Sequence, residues 1–189
     1  MTAIVRSRTR WVRAGVTIVL AMMFAASLSA ADTPKKVKAP HPEALRCFDP
    51  RLADLIQQGL ARSSTLQELT ARLERAGVIV FLSYSHQLPT GIAGRTRFMA
   101  ASVGWRYLST ELGDGLSRVD LLSLLGHELQ HAVEIADAPD VVDEASLIAL
   151  YRRTGAETGR GAVEGSVWFE TQAAVDTGRR VYSELSGHW

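Results

Sequence analysis

The chain carries a single cysteine, Cys47, so it cannot close a disulfide within itself. Whatever it folds into must be held by an apolar core, and a hydrophobic content of 47% is enough to build one. Cys47 then reads as a small buried hydrophobe rather than a reactive thiol. No basic stripe interleaved with aromatics is present, which excludes the usual footprint of a nucleic-acid binder. No apolar run reaches the roughly 18 residues that span a bilayer. Internal repeats and low-complexity tracts are also missing, which leaves a single ordinary domain within the 189 residues.

What basic character there is sits at the N-terminus. Arg6, Arg8, Arg10 and Arg13 form a basic zone without an acid. An apolar run of about 13 residues follows over 16–28, and Ser29 and Ala31 supply small residues in the pattern signal peptidase accepts. Residues 1–31 are therefore expected to be a signal peptide cleaved near Ala31, giving a secreted or periplasmic protein with no membrane association afterwards; an uncleaved anchor is the alternative. No cysteine stands at the cleavage point and no Arg-Arg pair precedes the run, against lipoprotein and twin-arginine export. The four leader arginines exceed the net charge of +1, so the remainder carries about −3. Residues 32–46, rich in proline and lysine at their start, read as a flexible spacer, and 47–189 as the folded domain.

Periodicity within that domain predicts helices over 50–60 and 65–76, the second ended by Gly77. The β-branched run 78–84 predicts a strand, and 96–102 and 105–111 two more, hinged at Val103-Gly104. Ser117 with Asp120 three residues on resembles a capping box that starts a helix about ten residues before His127. Asp140 is expected to cap a helix over 141–153, the glycine-rich 154–165 to be a loop, and 167–185 a last helix. The expected class is α+β, with a small antiparallel sheet and flanking helices.

The most informative stretch is His127-Glu128-Leu129-Gln130-His131, an H-E-x-x-H motif in a helix-periodic run. Positions i and i+4 of a helix lie one above the other, so both imidazoles can face one metal ion. Glu128 sits about 100° round from His127, able to reach a water without being a ligand itself. Asp120, Ser123, Leu124, His131 and Glu134 share the His127 side, while Leu122, Leu125, Leu129, Ala132, Val133 and Ala136 form the opposite, dry stripe. Imidazole and carboxylate donors with one open position suit Zn²⁺. The plain alternative is an amphipathic helix with two surface histidines.

A small sheet followed by an H-E-x-x-H helix resembles the zincin metallopeptidases. The metzincin branch requires Gly and His where this chain has Glu134 and Asp137, so that branch is excluded. The resemblance to gluzincins implies a third ligand, a Glu from a later helix. Glu170 fits best, 39 residues past His131 and near the expected start of the last helix. Glu144 and Glu134 compete for the role, and Asp176 is a further candidate close to the site. The best-known gluzincin pattern has an Asn before this Glu, and Phe169 stands there instead.

What the resemblance implies is an exported zinc metallopeptidase acting on a peptide or protein substrate. Zn²⁺ would be held by His127, His131 and Glu170, with Glu128 as general base. The strand over 105–111, preceding the motif helix, would pair with an extended substrate. Tyr151, Tyr182 and His188 are candidate oxyanion partners. The runner-up is a non-catalytic exported zinc-binding module on the same fold. A di-iron bundle is excluded, because no second Glu-x-x-His occurs.

Overall fold

Local chemistry sets most element boundaries in the computed structural model, which describes residues 44–160 and 167–187. The expected signal peptide, most of the spacer and His188 lie outside the described residues. A short strand, β1 (Leu45–Cys47), begins inside the segment read as spacer, so the fold starts at least two residues before the expected boundary at 47. Helix α1 (Pro50–Leu60) starts at proline behind Asp49, whose carboxylate accepts from the backbone N–H groups of Arg51 and Leu52. Helix α2 (Ser64–Arg75) is capped by Ser63, which accepts from Leu66 N at 3.1 Å. The Glu184 carboxylate, far along the chain, also accepts from Ser63, Ser64 and Thr65, tying the last helix to this terminus. These bonds hold its pKa below the usual carboxylate range, against a burial contribution that acts in the opposite direction.

Three longer strands follow: β2 (Val78–Ser85), β3 (Gly94–Ser102) and β4 (Trp105–Gly113). The sheet order is β1-β2-β4-β3, with β1 parallel to β2, β2 parallel to β4, and only β3 antiparallel to its neighbour. The sheet is thus mixed, not antiparallel as expected. The physical reason is visible in β2, a nearly continuous apolar run with Val78, Ile79, Val80 and Leu82 all buried. Such a strand belongs inside a sheet, so the β3–β4 hairpin folds back and inserts β4 beside it. Gly77 enters β2 at φ 66, where a Cβ would lie 2.3 Å from the Gly104 carbonyl oxygen. Only glycine fits that crossing.

Helix α3 (Arg118–Ala136) lies across the sheet and is buried on most of its circumference, including Leu121, Leu122, Leu125, Leu129, Ala132, Val133 and Ile135. Ser117 caps it as expected, accepting from Asp120 N. Arg106 on β4 fixes the other end by donating to the carbonyls of Ile135, Ala136 and Ala138 at 2.5–2.9 Å. These carbonyls lie at and just past the helix end, where the intrahelical ladder stops.

The next helix, α4, spans Glu144–Thr154 and is capped by Asp143, not Asp140. Asp143 and Ser146 bond reciprocally to each other's backbone N–H. The helix therefore starts three residues later than expected, where this reciprocal pair satisfies the N–H groups of the cap and of the third helical residue. The region expected as loop and helix start is a hairpin of β5 (Ala156–Arg160) and β6 (Val167–Glu170). The β-prone Val167-Trp168-Phe169 continues as strand, and helix begins only after Thr171 caps Ala174 N. Helix α5 (Gln172–Leu185) then packs on α3, where Gly126 and Gly178 admit the close approach. No helix among the described residues is long and apolar enough to cross a membrane.

Candidate metal centre

The α3–α5 packing and the end of β6 bring three side chains together. His127 and His131 stand one turn apart on α3, their rings 5.0 Å between centroids and at 78°. Glu170 arrives at the last residue of β6, immediately before α5, rather than within a helix. Its Oε2 lies 3.3 Å from His127 Nε2 and its Oε1 lies 3.5 Å from His131 Nε2. One donor atom from each of the three residues lies within 4.8 Å of the others, so the cluster could hold a metal ion. A tetrahedral site with bonds of about 2.0–2.1 Å has edges of about 3.3 Å, close to the two histidine–Glu170 separations. The donor set of two imidazoles and a carboxylate fits such an ion chemically.

The charges point the same way. Burial alone would lower the His131 pKa, but hydrogen bonds to Glu134 and Glu170 and the charge of Glu128 push it up to about 9. In the absence of metal the proton on His131 is the cation these carboxylates hold. Burial lowers the His127 pKa, with Glu170 opposing. Glu170 and Glu134 are shifted downward despite burial, because both hydrogen-bond His131.

Glu128 lies beside the cluster but outside it. It is 3% exposed, on the side of α3 that faces β3. Thr96 donates its hydroxyl to Glu128 Oε2 at 2.8 Å, and Thr110 lies 2.8 Å behind Thr96, completing a hydroxyl chain that ends on the carboxylate. Burial pushes the Glu128 pKa up to about 7, with His131 and the Thr96 bond pulling against it. The backbone of Gly94 closes over the other oxygen, where a Cβ would lie 2.8 Å from Glu128 Oε1.

Several expectations need correction. Glu144 is exposed on α4, and the donor cluster does not include it. Glu134 faces His131 Nδ1 at 3.0 Å, on the opposite side of the ring from Nε2. Asp176 is exposed and bonds Gln172 and Arg179, away from the histidines. Glu170 keeps a third of its side chain accessible, so it is not the buried acid expected. Tyr151 packs edge-on against His131 and donates to the His131 carbonyl, so it supports that residue from behind. Phe169, which stands where the resemblance implies Asn, stacks on Tyr151 at 5.9 Å. Tyr182 is exposed. The strand over 105–111 is β4, hydrogen-bonded on both sides by β2 and β3, and has no free edge for a substrate.

Gly94, Thr96 and Thr171 were not legible as site residues. Nothing in their spacing from the motif points to it, because β3 and the β6–α5 junction approach α3 only through the fold. Glu134 did carry a signal, since a residue three past His131 shares its face. Comparison with known proteins returns no match: no family model, curated protein or solved structure is significantly similar to this chain.

Proposed function

We propose that the protein is an exported zinc-dependent metallopeptidase of zincin-like fold, in which Glu128 is the general base. One observation carries the reading. Three donors converge on one point, and a fourth acid, Glu128, lies buried beside them, outside the donor set. A site meant only to hold a metal has no need of that fourth group, and burying it is costly.

His127, His131 and Glu170 would hold Zn²⁺, which when bound supplies Lewis acidity, polarising a carbonyl and making water acidic near neutral pH. Glu128 takes a proton from water while Thr96 holds its Oε2. It then hands that proton to the leaving amine. A pKa near 7 lets one carboxylate do both. The substrate strand is β3 in place of β4: β3 ends the sheet order and carries Gly94 and Thr96 against Glu128. An extended peptide added along it would pass the base. The leader, expected to be removed near Ala31, places the activity outside the cytoplasm.

The test compares wild type with Glu128→Gln, zinc-loaded, on casein and a peptide library. Wild type is expected to cleave and the variant to keep its zinc while losing at least about a hundredfold in kcat. A wild type that holds zinc firmly yet cleaves nothing refutes the enzyme and leaves the non-catalytic zinc-binding module.

A further inference from the structure

Two of the partners of Glu134 lead to the cluster. Its Oε2 lies 3.0 Å from His131 Nδ1. Its Oε1 accepts the Thr171 hydroxyl at 2.7 Å. Thr171 directly follows Glu170, is 6% exposed, and uses the same oxygen to accept from Ala174 N as the cap of α5. Its own N–H donates to Glu170 Oε1 at 2.9 Å. One carboxylate therefore touches the back of one donor and the chain position beside another.

We infer that Glu134 is a positioning residue that presents both His131 and Glu170 to a divalent cation, acting on the first through Nδ1 and on the second through Thr171. This rests on the metal-site reading given above. The argument follows from donor and acceptor counts. Nδ1 bearing a hydrogen donates to the carboxylate, which leaves Nε2, the nitrogen facing Glu170, with its lone pair free for a metal. The Tyr151 hydroxyl, 3.3 Å from the same Nδ1, is spent on the His131 carbonyl at 3.2 Å and leaves this assignment in place. The buried Thr171 hydroxyl accepts from Ala174 N and needs an acceptor for its own hydrogen, which Glu134 supplies from across the helix packing. Without that bond, the β6–α5 junction loses its polar anchor to α3 beside Glu170.

An amide at 134 cannot do both jobs. It has one acceptor oxygen where two are needed, and its NH₂ facing Nδ1 would favour the tautomer with hydrogen on Nε2, which blocks ligation. Partners of this kind are typically worth about 10–100-fold in metal affinity.

The experiment measures Zn²⁺ affinity by competition with a chromogenic chelator, and the visible absorption of the Co²⁺-substituted protein, in wild type, Glu134→Gln, Thr171→Val and Thr171→Ser. Glu134→Gln and Thr171→Val are expected to weaken zinc about 10–100-fold and to alter the Co²⁺ bands. Thr171→Ser, which restores the hydroxyl, should return both to near wild type. Should Glu134→Gln fail to fold, the Thr171 pair decides alone. Unchanged affinity and spectrum in Thr171→Val, with wild type binding zinc, overturns the inference and leaves the metal site standing. A wild type that binds no zinc overturns the metal site itself, and the inference with it.

Discussion

Replacing Glu128 by Gln should make the metal-free protein more stable at neutral and alkaline pH, and the size follows from burial. Glu128 is 3% exposed and its pKa stands at about 7, against 4.5 for a free side chain. Below pH 4.5 the carboxyl is protonated in folded and unfolded chains alike, and its titration costs nothing. Between pH 4.5 and 7 the unfolded chain releases the proton while the folded one retains it, so stability falls as pH rises. Above pH 7 the full loss is present, about 3 kcal/mol at about 1.4 kcal/mol per unit. That is a large share of the ~5–15 kcal/mol a domain has. His131, with its pKa held at about 9, stays protonated in the folded chain across this window, and its own contribution is shared by wild type and variant except through its charge coupling to Glu128. Glutamine has no proton to lose and can still accept from Thr96 through its oxygen. Urea unfolding in chelator at pH 4, 6 and 8 should therefore show Glu128→Gln gaining up to about 3 kcal/mol at pH 8, less at pH 6, and nothing at pH 4. A variant less stable than wild type at pH 8, or a difference that ignores pH, refutes the placement of a strained ionisable group at this position.

Zinc should raise the stability of wild type by about 2.7 kcal/mol when present at a hundred times its dissociation constant, and chelator should remove the gain; thermal melts of His131→Ala should show no zinc response. Gly94→Ala pushes a methyl to 2.8 Å from Glu128 Oε1 and 3.0 Å from Leu124 Cδ1, so zinc content should persist while turnover falls about tenfold or more, read by kcat on casein. Gly77→Ala sets a Cβ against the Gly104 carbonyl at φ 66 and should destabilise by about 2–3 kcal/mol in urea titration without altering zinc affinity.

The sequence by itself determined whatever depends on near neighbours. The helix through 127–131 follows from apolar periodicity and the Ser117 cap, and the pairing of His127 with His131 on one face follows from helical pitch alone. Helices α1 and α2 and strands β2, β3 and β4 were legible for the same reason, since alternation, caps and glycines act over a few residues. Glu170 was chosen by distance along the chain, and the structure does bring it to the histidines, but from a strand end that caps and β-propensity at 167–171 produced. Tertiary structure alone decided the rest. Whether β4 is an edge or an interior strand depends on where the β3–β4 hairpin folds back, which no local pattern records. The second partners of the site (Thr96 on Glu128, Thr171 on Glu134, Arg106 on the end of α3) come from elements 29 to 37 residues away. They meet only because burying α3 against the sheet and α5 leaves each polar group one place to find a bond.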